Sequence, residues 1–176
     1  MCISKTLVIN GHRTPRDSIF GKVLFDSATA LPFVTGHTLI EAYPDFKING
    51  DYERSLLSEH SNIVLQFPFY WYSCPAIVKE WLDETLSRGW AYGGGQALAG
   101  KKLLVAVTTG GSEKVYQHDG ANLFTVEEFL RPFQQTANLC GMAWQQPFVM
   151  FGVRYLDQDS IADYCSKYQA QILKLD

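Results

Sequence analysis

The chain has 176 residues, with 15 Lys and Arg against 18 Asp and Glu for a formal net charge of −3. That length suffices for one domain with a well-buried core, and the balance lacks the basic stripe that marks nucleic-acid binding, so no nucleic-acid partner is expected. No apolar segment approaches the roughly 20 residues that cross a bilayer. Met1 to Lys5 leads straight into an apolar strand, without the apolar run and small-residue cleavage site of a signal peptide, so a cytoplasmic protein is expected. The four cysteines, Cys2, Cys74, Cys140 and Cys165, form no Cys-x-x-Cys pair, which argues against a zinc knuckle or a redox dithiol and for free thiols.

Thr6 to Asn10 is a short apolar run of β type ended by Gly11, and a helical pattern starts near Ser18 with Ile19, Phe20, Val23 and Leu24 on one side. Ser18 is placed to cap that helix. A weaker strand includes His37 to Ile40, and Tyr43-Pro44-Asp45-Phe46 reads as a turn. Asp51 is placed to cap a short helix through Leu56, Leu57 and Glu59. A third strand, Asn62 to Phe67, delivers the loop Pro68-Phe69-Tyr70-Trp71-Tyr72-Ser73-Cys74, after which Ile77, Val78, Trp81, Leu82 and Leu86 recur at helical spacing over Ala76 to Arg88. Pro75 stands at or near the first position of this helix, where its missing N–H does no harm. Gly89 to Gln96 has no period and reads as a loop.

Lys102 to Thr108 is a continuous apolar run of the kind covered on both faces by helices. Thr125-x-x-Glu128 is a capping box opening a helix through Phe129, Leu130, Phe133 and Leu139, with Pro132 predicting a kink or break inside it. Phe148 to Phe151 supplies a fifth strand, and Asp159 or Ser160 caps a last helix toward Leu173. Five strands alternating with helices predict an α/β fold of three layers around a five-stranded, mainly parallel sheet. No linker or internal repeat divides residues 1 to 176, so one domain is expected.

In such folds the ligand lies beyond the carboxyl ends of the strands. Three loops there carry unusual chemistry. Gly11 to Asp17 precedes a helix N-terminus, a natural seat for a phosphate, although an ordinary capped loop with exposed arginines fits equally well. It is neither a Walker A loop nor G-x-G-x-x-G. Phe69 to Tyr72 places four consecutive aromatics in a loop stiffened by Pro68 and Pro75, which suits a flat ligand. Cys74 within it reads as a small packed thiol. Thr108-Thr109-Gly110-Gly111 brings small residues whose N–H groups can approach a ligand closely, and Tyr116 and His118 follow near enough to hold a substrate or supply a proton. A Gly-rich turn with a surface Tyr and His is the plainer alternative. No Ser-His-Asp order, paired carboxylates or metal-ligand spacing emerges, and the histidines at 12, 37, 60 and 118 are scattered. A phosphate seat, an aromatic wall and a set of backbone donors at one sheet edge together fit a flavin.

Gln66 to Trp81 (Gln-Phe-Pro-Phe-Tyr-Trp-Tyr-Ser-Cys-Pro-Ala-Ile-Val-Lys-Glu-Trp), Gly89-Trp90-Ala91-Tyr92-Gly93 and Thr108-Thr109-Gly110-Gly111 resemble the signatures of the flavodoxin-like NAD(P)H:quinone oxidoreductase family. Through Tyr43-Pro44-Asp45-Phe46, Ser87-Arg88-Gly89-Trp90 and the short chain, the resemblance is strongest to the ancillary subunits of glutathione-regulated potassium-efflux systems. It implies a flavodoxin-like sandwich. It also implies a flavin held by His12 and by Ser18, Ile19, Phe20 and Gly21 around its phosphate, by Phe69, Tyr70, Trp71 and Tyr72 along the isoalloxazine, and by Thr108, Thr109, Gly110 and Gly111 at its pyrimidine end. Gly21 stands where family members often carry Asn, and His118 does not align with the histidine of the larger quinone reductases. Tyr116 matches their active-site tyrosine, which with Trp71 makes the implied catalytic pair. The compact chain favours FMN over FAD. The implied reaction is a two-step hydride transfer in which NAD(P)H reduces the flavin, leaves, and is followed by a quinone, with the N–H groups of Thr109 to Gly111 stabilising the reduced, anionic flavin. The resemblance further implies a homodimer and, as an alternative or coexisting role, docking as a regulatory subunit on a membrane potassium-efflux transporter at the inner face of the membrane. An electron carrier without a substrate of its own is a third reading.

Overall fold

A computed structural model describes residues 4–176. Cys2 and its expected free thiol lie outside the described residues. Six strands form one parallel sheet: β1 Thr6–Asn10, β2 Val34–Thr38, β3 Asn62–Pro68, β4 Lys102–Thr108, β5 Ala143–Trp144 and β6 Phe148–Met150. The strand order is β2-β1-β3-β4, and the fifth position beside β4 is shared by β5, opposite Lys102 and Leu103, and β6, opposite Ala106 to Thr108. Gln145-Gln146-Pro147 separates the two pieces, and Pro147 has no N–H to give to a ladder. The expected five-stranded sheet is therefore correct in its positions, and the fifth strand is broken.

Period-two alternation sends side chains to opposite faces of the sheet. Leu7, Ile9, Ile63, Leu65, Phe67, Leu103, Val105 and Val107 face helices α2 Leu39–Ala42, α3 Gly50–Glu59, α4 Ala76–Thr85, α5 Val126–Phe129 and α6 Arg131–Leu139. Val8, Val64, Leu104, Ala106, Phe148 and Met150 face α1 Ile19–Thr29 and α7 Gln158–Leu173. These are the three layers that the apolar runs predicted.

Several local expectations are corrected. Ser18 occupies the N-cap position of α1 without capping it through its side chain, because the 3-10 turn Pro15–Asp17 feeds directly into the helix, with the Ser18 N–H donating to Pro15 O at 3.3 Å. Leu24 and Ala28 form the buried face of α1, whereas Ile19 and Val23 are exposed. The cap of α3 is Asn49, whose Oδ1 accepts from the Tyr52 N–H at 3.1 Å, while Asp51 pairs with Arg54. Asp157 caps α7 through the Ser160 N–H at 2.8 Å. The chain leaves β2 at Thr38 and turns at once into α2, so Leu39 and Ile40 are helical. Helix α4 stops at Thr85, three residues short of Arg88.

The capping box is present: Thr125 Oγ1 accepts from the Glu128 N–H at 3.2 Å, and Glu128 Oε2 accepts from the Thr125 N–H at 2.8 Å. The break expected at Pro132 falls at Leu130, which leaves Pro132 in the first turn of α6, where no N–H is required.

A buried polar cluster joins β2, α3 and α4. Glu53 is fully buried, and its carboxylate accepts from His37 Nε2 at 2.8 Å, Tyr43 OH at 2.6 Å and Trp81 Nε1 at 2.6 Å. A second polar bridge crosses the sheet, where Gln66 donates to Gly21 O at 2.8 Å and accepts from Tyr168 OH at 3.1 Å. None of the helices among the described residues is long and apolar enough to cross a membrane.

Candidate active site

Register places the strand ends together: Asn10 lies beside Gln66, and Pro68 beside Thr108, which lies beside Met150. The loops that leave these ends are stapled to one another. Gly11 N–H donates to Gln66 O at 2.8 Å, Phe69 N–H to Thr108 O at 2.9 Å, Thr109 N–H to Met150 O at 3.0 Å and Gly152 N–H to Gly111 O at 2.8 Å. The three loops singled out in the sequence therefore form one edge, joined by a fourth after β6.

At one end of this edge His12 is 9% exposed. Its Nδ1 accepts from the Thr14 N–H at 3.0 Å, which in the neutral ring leaves the proton on Nε2. Burial lowers its pKa against the Thr14 and Asp17 contributions, so the ring is neutral at neutral pH. The first-turn N–H groups of α1, at Ile19, Phe20 and Gly21, have no partner within the helix and carry its positive dipole end. Ser18 turns its hydroxyl over Gly21 instead, where a Cβ would stand 2.7 Å from Ser18 Oγ and 3.6 Å from His12 Cδ2. Arg154, in the 3-10 turn Val153–Tyr155, brings its Nε within 3.6 Å of where a Gly110 Cβ would stand. No carboxylate among the described residues pairs with it. His12, Ser18, Gly21, Tyr70, Gly110 and Arg154 line one cleft of about 370 Å³. A neutral donor, unpaired amides at a helix start and a free guanidinium are the donor set of a phosphate site.

The aromatic loop is a tight hairpin. Tyr70 N–H donates to Ser73 O at 3.1 Å and Ser73 N–H to Tyr70 O at 2.9 Å, around Trp71 at φ 50° and Tyr72 at φ 61°. Two successive left-handed non-glycine residues cost roughly 1–2 kcal/mol each, and strain of this kind concentrates at ligand sites. Its effect here is to turn the Trp71 and Tyr72 N–H groups away from any acceptor among the described residues and to leave Trp71 93% exposed. The closing bonds of the hairpin, more than the flanking prolines, fix its shape, because Pro68 already belongs to β3 and Pro75 to the cap of α4.

Behind the hairpin stands a cluster of rings. Tyr72 stacks on Phe129 of α5 with centroids 5.1 Å apart, and Phe69 meets Phe129 at 5.8 Å and Tyr116 at 5.9 Å. A second cleft, of about 380 Å³, opens between Phe69, Trp71, Tyr72, Gly111, Tyr116 and Asn122. Burial, and then the neighbouring Tyr72, push the Tyr116 phenol above its ordinary pKa, so it stays protonated as a donor. The Tyr72 hydroxyl donates to Asn122 Oδ1 at 3.3 Å.

In the Thr108 to Gly111 turn the donors are fewer than expected. Thr109 spends its N–H on Met150 and its hydroxyl on Gly111 O at 2.7 Å, and Thr108 gives its carbonyl to Phe69. Thr108 and Thr109 position the turn, and Gly110 and Gly111 keep unpaired N–H groups among the described residues. His118 stands apart with its side chain 72% exposed and Nδ1 3.7 Å from Glu128 Oε2. Cys74 lines a different groove with Arg13, Phe46 and Trp71, and burial raises its pKa, as suits a packed thiol. Arg154, Phe129 and Asn122 escaped the sequence reading. The rule that ligands gather at strand carboxyl ends, applied to β6, would have reached Arg154.

A phosphorylated, planar, partly polar molecule fits these residues. Phosphate donors cluster around His12 and Arg154, with Gly110 at their border, and flat walls with the unpaired Gly111 N–H lie beyond. The sequence from 4 to 172 matches the model of a family described as having the flavodoxin-like fold. The glutathione-regulated potassium-efflux system ancillary protein KefG of Pectobacterium carotovorum subsp. carotovorum (strain PC1) is 46% identical over 165 residues, 93% of this chain and 90% of that protein. The general stress protein 14 of Treponema denticola, solved in complex with FMN, superposes with a TM-score of 0.91 at 36% identity, over 98% of this chain and 99% of that one. An NADPH-quinone reductase from P. pentosaceus superposes with a TM-score of 0.87 at 32% identity, over 94% of this chain and 95% of that one. The chain belongs to the family of proteins with the flavodoxin-like fold, among relatives that include KefG ancillary proteins and quinone reductases.

Proposed function

We propose that this chain is a flavin-dependent NAD(P)H:quinone oxidoreductase, an NAD(P)H dehydrogenase (quinone), built as one flavin-binding domain and working as a cytoplasmic homodimer. The observation that carries the reading is the juxtaposition, at one sheet edge, of the phosphate-type donor set around His12 and Arg154 with the ring-walled cleft at Tyr116. The FMN-bound relative and the quinone-reductase relative support the choice of cofactor and reaction class. FMN is preferred to FAD, and the acceptor is a quinone.

Bound flavin supplies the capacity to take up a hydride and pass it on. The chain supplies position and electrostatics. His12 Nε2–H, the Ile19 to Gly21 amides and Arg154 bind the phosphate end, with Ser18 at its rim. Phe69 and Tyr70 and the unpaired N–H groups of Trp71 and Tyr72 hold one edge of the ring system. Gly110, at the border of the phosphate cleft, and Gly111, on the ring-walled side, both set in place by Thr108 and Thr109, aim preorganised N–H dipoles toward the ring system, where negative charge is to be accommodated. Trp71 shields the substrate side from water, and Tyr116, kept protonated, hydrogen-bonds the oxygen of the acceptor. Absorbance of purified protein, with and without added FMN or FAD, tests the cofactor. Steady-state oxidation of NADH and of NADPH with a panel of quinones tests the reaction. Protein that takes up neither flavin, or that takes up flavin and oxidises neither nicotinamide with any quinone, refutes the proposal.

The similarity to KefG ancillary proteins favours a second, compatible role as a regulatory subunit on a potassium-efflux transporter at the membrane's inner face. Potassium efflux that is unchanged on deletion of this chain counts against it.

A further inference from the structure

A groove of about 540 Å³ beside the aromatic hairpin has no part in holding the flavin. Ile40, Phe46, Trp71 and Pro75 give it apolar walls, and among the described residues Arg13 is the one charged residue that lines it. No carboxylate among the described residues pairs with Arg13, whereas Arg16 of the same loop lies 3.7 Å from Glu41 Oε1. Phe46 stands at φ 63° and is 38% exposed. A left-handed backbone is unfavourable for a residue with a Cβ, and strain of this kind concentrates where ligands are clamped. The conformation is held from both sides: Phe46 N–H donates to Tyr43 O at 3.1 Å, Ile48 N–H donates to Phe46 O at 3.1 Å, and the Tyr43 hydroxyl is anchored on buried Glu53 at 2.6 Å. Trp71 lines both this groove and the cleft at Tyr116. A dumbbell-shaped ligand with its reactive ring on the Tyr116 side therefore reaches the groove across a single side chain.

NADH and NADPH are dumbbells of this kind, and they differ only by a phosphate monoester on the adenosine ribose. Apolar and aromatic walls suit the flat face of the base, and an unpaired guanidinium suits the monoester, which it can grip through two parallel N–H bonds. Resting on the oxidoreductase reading above, we propose that this groove is the adenosine subsite of the nicotinamide donor, and that Arg13 is a specificity-determining residue that binds the 2′-phosphate and so favours NADPH over NADH. The base lies against Phe46, a contact common to both nucleotides, and the phosphate contact alone separates them. Because Arg13 is exposed, the preference weakens as salt rises.

The test uses FMN-loaded protein, titrated in its oxidised form with NADP⁺ and with NAD⁺, and then reduced anaerobically with NADPH or NADH. Wild type is expected to bind NADP⁺ about tenfold more tightly than NAD⁺, the effect of one charge-assisted contact. Arg13→Gln removes that difference by weakening NADP⁺ alone, and Arg13→Lys, which keeps the charge without the fork, restores part of it. Phe46→Ala weakens both nucleotides alike, by about fivefold. In flavin reduction, Arg13→Gln raises the half-saturating concentration of NADPH about tenfold. The value for NADH, the limiting rate with either nucleotide and the Kd for FMN stay unchanged. Equal affinity of wild type for both nucleotides, equal losses for both in Arg13→Gln, or wild-type binding of both by Phe46→Ala overturns the assignment and leaves the oxidoreductase reading intact. Wild-type protein whose flavin neither NADH nor NADPH reduces overturns that reading, and the role of the groove falls with it.

Discussion

Glu53→Gln is the most informative single change to the fold. The carboxylate sits in a fully buried position and satisfies three donors, from His37, Tyr43 and Trp81. Glutamine has the same shape but only one acceptor oxygen. If that oxygen keeps the Oε1 position it serves His37 and Tyr43, and the amide NH₂ then opposes the Trp81 N–H, donor against donor. The reverse orientation strands two donors. The cheaper arrangement loses one charge-assisted bond, roughly 1.5–3 kcal/mol, and weakens two others, so the expected cost is about 3 kcal/mol. With a urea m-value of about 2 kcal/mol/M for a domain of this size, the unfolding midpoint at pH 7 moves down by about 1.5 M, read by circular dichroism without added flavin.

The pH dependence gives an independent check. Burial alone would raise the Glu53 pKa, but the hydrogen bonds from His37, Tyr43 and Trp81 outweigh it and hold the carboxyl below its ordinary range. A group depressed on folding contributes stability above its unfolded pKa and loses it as pH falls through the folded value. The gap between wild type and variant is therefore full at neutral pH and closes with acid below the ordinary glutamate range. A gap under about 1 kcal/mol at pH 7, where about 3 kcal/mol is expected, would refute this reasoning. A gap that widens as the pH falls would refute it too.

The remaining expectations concern the site and its supports. Gly11→Ala places a Cβ 2.2 Å from Val78 Cγ2, in a fully packed position, and should cost about 1–3 kcal/mol in thermal unfolding, with recovery in the Gly11→Ala/Val78→Ala double variant. Gly21→Ala adds a methyl 2.7 Å from the Ser18 hydroxyl at the first turn of α1, so it should leave thermal stability unharmed while weakening FMN binding in equilibrium titration. Trp71→Ala, at a 93% exposed position, should lower quinone turnover more than flavin retention, and loss of flavin with unchanged turnover of the reconstituted protein speaks against that division. Because burial raises the Tyr116 pKa above its ordinary value, kcat/KM for quinone should show no loss from phenol ionisation as pH approaches the ordinary tyrosine range.

Strands with continuous apolar runs were legible to the residue: Thr6–Asn10 and Lys102–Thr108 are bounded by polar or glycine punctuation and buried on both faces. The edge strand Val34–Thr38 was misplaced, because Thr35 and Gly36 are exposed and an edge strand need not alternate or be apolar. Two-residue β5 gives no periodic signal at all. The caps at Asn49 and Asp157 were each missed by two residues or more, since several side chains of cap type compete locally and only the backbone dihedrals decide among them. At the site, whatever follows from strand ends was readable, including His12, the Phe69 to Tyr72 loop and the Thr108 to Gly111 turn. Phe129 looked like an ordinary helix core residue, and Asn122 a loop polar residue, because both enter the site through contacts with segments distant in sequence. The commitment of the Thr109 N–H to Met150 was likewise hidden, since it depends on how the far edge of the sheet is paired.

Gln66 is a crossbar with consequences for motion. Through one side chain it fastens the opening turn of α1, at the Gly21 carbonyl, to the middle of α7, at the Tyr168 hydroxyl, from within the sheet. A ligand that immobilises the first turn of α1 thereby also removes freedom from a helix on the same face whose sequence begins more than a hundred residues later. Amide hydrogen exchange in Gln158–Leu173 should slow when the cleft beside Gly21 is filled, and the slowing should vanish in Gln66→Leu.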